Sequence, residues 1–355
     1  MTNRKQKFIK YLLAVTVSLL VINIAIESLK KPKKNSAVHE LSVIQIETVF
    51  FTVLDDYGIE TKWITRKKYK SADYDSVKTE YLVKIPADMP VPLIIKNIYK
   101  VIEKDITGFV SEEKKIFGTT EIRIYTNEVL KLKATLIPDK EIIRKRNELS
   151  FVINDVFDLS EKSFNDFLSI HHPLSCTVVP GHDLIIKADS LKDYTKEYAI
   201  LLNNDINDPK MKLKSDYQKG LLRGSMQNIV SSFRDAKAYI IDENSTLYNS
   251  PIYNYVRDEF KRQSIFLYPR SEFIELNAQE DSELISKFKF YSEDTTGVHQ
   301  KIFFSSFDNF LKIQNEIEKI KKKGNKIIPL SKTFLAGKPA ALKTKRASFR
   351  INLIQ

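Results

Sequence analysis

Residues 149–155 read LSFVIND and residues 172–181 read HPLSCTVVPG. In each, a short apolar run stops at a turn-forming Asn-Asp or Pro-Gly pair, the pattern of a buried strand. Between them, Ser160 can cap a helix that carries Phe164, Phe167 and Leu168. Strand, helix, strand is the unit of a parallel sheet. The unit repeats down the chain, with further strands expected at 198–202, 238–241, 265–268, 301–305 and 326–328. Helices are expected around Met226, Ile229, Val230 and Phe233, and from Ser250-Pro251 through Ile252, Tyr255 and Val256. The last helix carries Phe307, Phe310, Leu311, Ile317 and Ile320 and stops at Gly324. The region is thus α/β, with its chemistry expected where the strands end.

The sequence upstream has a different rhythm. Residues 11–26, YLLAVTVSLLVINIAI, carry no charge and follow Arg4, Lys5, Lys7 and Lys10. The run is short for a bilayer, but flanking lysines extend its reach. No small-x-small cleavage site follows, so residues 1–29 read as an uncleaved signal anchor, a transmembrane helix, and 30–40 as a linker. Charge nearly ties for orientation, with Lys30, Lys31, Lys33 and Lys34 beyond the span. Residues 41–146 read as a small α+β domain. A helix carries Ile46, Val49, Phe50, Val53 and Leu54, strands follow near 61–65 and 79–85, and Pro92 opens a second helix. Alternating residues on either side of Thr126–Glu128 read as a hairpin. Residues 336–355 read as a basic mobile tail.

Composition narrows the classes. Of 355 residues, 43% are hydrophobic and 29% charged, which excludes collagen-like and wholly disordered chains. A single cysteine, Cys176, excludes an internal disulfide and a Cys-based zinc finger. The net charge of +12 raises the question of nucleic acid. However, the lysines are interleaved with acids and no nucleic-acid fold signature is present, so that partner is not expected. A membrane surface or an anionic glycan accounts for the charge equally well.

The stretches LSFVIND, HPLSCTVVPG, EYAILLNND (197–205), AKAYIIDENS (236–245), IFLYPRS (265–271), KIFFSSFDNF (301–310) and KKKGNKIIPLSKTF (321–334) follow one another in an order that resembles the divergent polysaccharide deacetylase family. The resemblance covers about residues 146–335. KIPADMPVPLIIKNI (84–98) is similar, less distinctively, to the segment that precedes the domain in that family. It implies an irregular (β/α) barrel with about seven strands over 147–335, after the α+β domain and the transmembrane helix. It also implies an extracytoplasmic, periplasmic location, which breaks the orientation tie.

Active relatives are implied to use an Asp pair after the first strand, two histidine metal ligands and a late histidine. A metal lowers the pKa of a bound water, a carboxylate takes its proton, and an acid protonates the departing amine. Here those positions read Asn154-Asp155, Asn203, Asp242 and Ser306, while Tyr268 replaces an acid and Arg270 beside it is kept. The connection between the fifth and sixth strands reads as shortened. An amide is no base and a poor ligand for zinc-like ions.

Each position also has a plain reading. Asn154 and Asp155 are either a metal or sugar contact or an Asx turn or a cap on the next helix. Asp242 and Glu243 are either a hard-cation site with Asp155 and Asn203 or a solvated loop. His182 is either a substitute ligand or substrate contact or a surface residue. His171, His172 and Cys176 read as structural. Three functions follow. The first is a non-catalytic glycan- or partner-binding pseudoenzyme of the cell envelope, with no cofactor expected. The second is a metal-dependent carbohydrate deacetylase or hydrolase rebuilt on Asp155, Asp242 and His182. The third is a structural envelope scaffold.

Overall fold

A computed structural model describes residues 41–70, 76–114, 118–144, 146–294 and 299–335. The expected anchor at 11–26, the linker and the tail lie outside the described residues. Among the described residues, no helix is long and apolar enough to cross a membrane. These residues fall into two compact units, one formed by 41–55 and 59–142, the other by 56–58 and 143–335.

The first unit contains α1 (Val43–Asp56), β1 (Ile64–Lys68), β2 (Thr79–Pro86), α2 (Val91–Ile102), β3 (Gly108–Glu113), β4 (Thr120–Thr126) and β5 (Val129–Asp139). The sheet order is β1-β2-β5-β4-β3, parallel at β2/β5 and antiparallel elsewhere. Its core is made by alternation. Tyr81, Val83 and Ile85 of β2, Ile122 and Ile124 of β4, and Leu130, Leu132, Ala134 and Leu136 of β5 are buried, as are Ile94, Ile98 and Ile102 of α2. The expected hairpin is present. Asn127 and Glu128 both have positive φ, 49° and 66°, as a two-residue turn matched to strand twist requires. Where a strand was expected at 61–65, a 3-10 turn occupies Thr61–Trp63 and the strand starts at Ile64. Strand β3 was not anticipated, because its outer residues are mostly exposed and no apolar alternation marks it.

The second unit is the α/β region. Its elements are β6 (Glu148–Asn154), α3 (Glu161–Ser169), β7 (Ser175–Val178), α4 (Ile185–Ser190), β8 (Glu197–Leu202), α5 (Lys219–Ser232), β9 (Ala238–Ile241), α6 (Tyr253–Arg262), β10 (Leu267–Pro269), β11 (Ile274–Leu276), α7 (Asp281–Glu293), β12 (Gln300–Ser306), α8 (Phe307–Lys322), β13 (Lys326–Ile327) and α9 (Leu330–Leu335). Seven strands form one parallel path, β10-β9-β8-β7-β6-β12-β11, and β13 pairs with the start of β6. Consecutive strands β10 and β11 therefore lie at opposite edges. The five-residue step from Pro269 to Ile274 can span at most about 18 Å. The edges of a flat seven-stranded sheet stand about 29 Å apart. The sheet must curl, and the architecture is a half-barrel. The connection after the fifth strand holds β11 and α7. Three residues of β11 are too few to announce themselves by period.

Alternation divides the strands between two cores. Leu149, Phe151 and Ile153 of β6, Tyr198, Ile200 and Leu202 of β8, and Phe303 of β12 face the helices. Val152, Ala199, Leu201, Ala238, Ile240 and Phe304 form a second cluster inside the curl, with Phe273 and Leu330. The concave side holds the smaller of the two clusters because a curled sheet leaves little room there. At its N-terminal end, the hydroxyl of Ser150 donates to the Ile328 carbonyl (2.9 Å), and Glu197 accepts from the Ser331 backbone N–H (2.9 Å). These bonds seat α9 as a plug beneath the strands.

Outside, Phe151 stacks on Phe303 (5.3 Å between ring centroids) and meets Phe310 edge-on (5.3 Å), while Phe288 lies 5.4 Å from Phe303. This cluster ties α7 and α8 to the middle of the sheet. Replacing the fully buried Phe151 with alanine is expected to cost about 3–5 kcal/mol, by lost burial plus cavity. Urea denaturation followed by far-UV circular dichroism measures it.

Candidate functional site

The parallel register brings every candidate position to one rim. Asn154 and Ser306 are the last residues of β6 and β12, while Asn203, Asp242 and Arg270 directly follow β8, β9 and β10. His182 lies four residues beyond β7, exposed, in a 3-10 turn. At this rim, however, most of the polar side chains are engaged by the backbone or by one another.

Asp155 sits in the left-handed region, φ 61° and ψ 8°, which an Asx residue tolerates. Its Oδ1 accepts from the backbone N–H of Phe307 (3.3 Å), the first residue of α8. Ser306 is the N-cap of that helix, and its hydroxyl accepts from the Asn309 N–H (3.3 Å). Two orphan donors at one helix start are thus satisfied from two strands. Asp155 therefore does not cap the helix that follows it, as the sequence suggested; its side chain serves the start of α8 instead, because β12 lies beside β6. Partial burial raises the Asp155 pKa, the Phe307 N–H opposes the rise, and Asp308 and Asp158 add to it.

Asn154 accepts through Oδ1 from the Thr177 hydroxyl (2.8 Å) and so ties β6 to β7. Asn203 makes a local turn, accepting from the Asp205 N–H (3.1 Å) and donating to the Asp205 carboxylate (2.7 Å). Asp242 accepts from the Asn244 N–H (3.0 Å) in the same manner. Arg270 pairs with Glu275 of β11 and lays its guanidinium 4.7 Å from the ring centroid of Phe304 in β12. It therefore clamps one sheet edge to the other. Cys176 is fully buried, and burial pushes its thiol far up, so it is packing and not a nucleophile.

These donors do not fit a catalytic metal. Two positions hold amides, one a hydroxyl, and the retained Asp155 is spent on a helix N-terminus. Among the described residues, no three His, Cys, Asp or Glu side chains are grouped to hold an ion. Asp155, Asp242 and His182 are therefore not brought together as a ligand set.

A second constellation lies beside β9 and β10. Glu243 accepts from both the Ser271 N–H (2.9 Å) and the Ser271 hydroxyl (2.7 Å). Glu272, still open to solvent on one side, has its pKa raised by partial burial and then by the charge of Glu243. Burial, and then Glu272, raises the Tyr268 phenol. Tyr248 and Tyr253 lie 4.7 Å apart between ring centroids. A carboxyl that holds its proton above the usual range can donate to a hydroxyl, and tyrosine rings offer apolar faces with polar tips. Sequence reasoning singled out Glu243 but missed Glu272. The Arg270-Ser271-Glu272 run was its only local trace.

No family model and no curated protein matches the sequence. Solved structures that match include a wild-type CE4-family pseudoenzyme from Bacillus anthracis, 13% identical over 66% of this chain and 94% of its own, at a TM-score of 0.37. Another is an uncharacterized protein from Agrobacterium tumefaciens, 11% identical over 53% of this chain and 89% of that one, TM-score 0.38. A third is a polysaccharide deacetylase from Bacillus cereus, 6% identical over 52% and 92%, TM-score 0.34. Likenesses this distant do not bear on activity.

Capping by Asp155 has a measurable consequence. Asp155→Asn keeps both the acceptor and the tolerance of positive φ, so its stability at pH 7 should equal or exceed the wild type. Asp155→Ala loses both and should cost about 1–2 kcal/mol. The sign of the pH dependence follows from the raised pKa. Between the unfolded and folded values the native state binds more protons, so wild-type stability falls relative to Asp155→Asn as pH rises through that window. Urea midpoints from pH 3.5 to 7 check both.

Proposed function

We propose that the chain is a membrane-anchored protein of the cell envelope, with its bulk in the periplasm and a degenerate deacetylase-like barrel that binds glycan without hydrolysing it. The observation that carries this reading is the engagement of Asp155. The one acid kept from the resemblance's catalytic set caps α8 through the Phe307 N–H. The imidazole positions read Asn203, Asp242 and Ser306, and each of these side chains accepts from a nearby backbone N–H. The anchor is supported by the charge-free run at 11–26 and the location by the resemblance. The Tyr248–Tyr253 pair and the Glu243/Glu272 carboxyls supply the stacking faces and hydrogen-bonding groups that sugars require.

Titration calorimetry with acetylated chito-oligosaccharides and peptidoglycan fragments tests binding, and acetate release with added zinc or manganese tests turnover. Saturable binding without acetate release is the expected result, with Tyr248→Ala and Glu272→Gln each weakening binding by about tenfold. Metal-dependent acetate release that disappears in Asp155→Asn would overturn the reading.

A further inference from the structure

The first unit carries a cleft of about 970 Å³, within the range of ligand-binding sites. One wall is a stripe of α2, Pro92, Ile95, Lys96 and Tyr99, at the spacing that places residues on a single helix face. The facing wall is β3, with Phe109 and Ser111 lining the cleft and Tyr99 meeting Phe109 edge-on at 5.5 Å. Phe109 and Ser111 stand opposite Ile124 and Ile122, both fully buried, so they share the helix-covered face of the sheet.

Strand β3 is the last in its sheet. Its pairing with β4 determines which backbone groups are used. The Lys114 N–H donates to the Thr119 carbonyl opposite it (2.8 Å), so that pair is hydrogen-bonded. Antiparallel pairs alternate. Phe109 and Ser111 therefore turn their N–H and C=O groups away from β4. Two of the residues that line the cleft thus also offer backbone donors and acceptors along it. An edge strand beside a helix-walled apolar cleft is the arrangement that accepts an added strand.

The charged lining is Lys96, Lys140 and Glu113, a net positive set. Lys96 and Lys140 make no ion pair among the described residues. We infer that this cleft binds an extended acidic peptide of a partner protein, which adds as a strand to β3 and turns every second side chain toward α2, the central ones apolar and the outer ones carboxylates set against Lys96 and Lys140.

The probe is the blocked peptide acetyl-Glu-Thr-Val-Thr-Val-Thr-Glu-amide, whose glutamates and valines share one strand face, fluorescently labelled and titrated onto the full chain, with Lys-Thr-Val-Thr-Val-Thr-Lys as the counterpart. Ser111→Pro separates strand addition from other binding. It removes an N–H that faces away from β4, so the ladder and the fold persist. Saturable binding of the acidic peptide, lost in Ser111→Pro and weakened by about tenfold in the Lys96→Glu/Lys140→Glu pair, is the expected result. Amide exchange should slow at Phe109 and Ser111 when the peptide binds. Equal binding of the basic peptide, unchanged binding in Ser111→Pro, or no saturable binding overturns the inference. So does self-association that Ser111→Pro abolishes, since the occupant would then be a second copy.

Discussion

Two strands that follow each other in the chain, β10 and β11, stand at opposite edges of one sheet. A link of a few residues cannot cross a flat sheet of seven strands, so the sheet curls. Arg270 secures the curl from within that link, paired with Glu275 of one edge element and stacked on Phe304 of its neighbour. An arginine does both at once because its guanidinium is planar, with donors in the plane and an apolar face above it. The small inner core, the plug formed by α9 and the gathering of strand ends at one rim all depend on this geometry.

The rim then decides the chemistry. In a parallel sheet every strand delivers its last residues to the same end, and a constellation forms there whether or not it is catalytic. Here most of those residues serve the fold. Asp155 and Ser306 quiet the start of α8, Asn154 ties two strands, and Asn203 and Asp242 shape their own loops. A carboxylate that accepts from a backbone N–H at a helix start is held where it is and is partly neutralised. The groups left over lie near β9 and β10, where partial burial and then the charge of Glu243 hold the titration of Glu272 up and tyrosines stand close by.

The smaller unit offers surface chemistry of another kind. Its helices cover one face of a five-stranded sheet and leave the β3 edge beside an apolar cleft. Natural edges are usually blunted against chance pairing. Glu112 of β3 blunts this one in part, in a charge network with Lys114 and with Glu121 and Arg123 of β4. The lysines across the cleft then favour one kind of partner over others.

By itself the sequence determined the order and type of most elements in the larger unit. Seven of its strands were legible, most of them because burial on both faces leaves near-continuous apolar runs, and Ser160 and Gly324 were legible because helix ends need a cap and a left-handed residue. It also showed that the positions where the resemblance implies imidazoles read Asn203, Asp242 and Ser306, since that is a matter of residue identity. Tertiary structure alone decided the rest. Strand β11 and helix α7 carry too weak a period to be read locally, and the role of Arg270 exists only once the edges meet. That Asp155 serves a helix more than 150 residues away follows from β12 lying beside β6, a pairing between distant segments that no local pattern encodes.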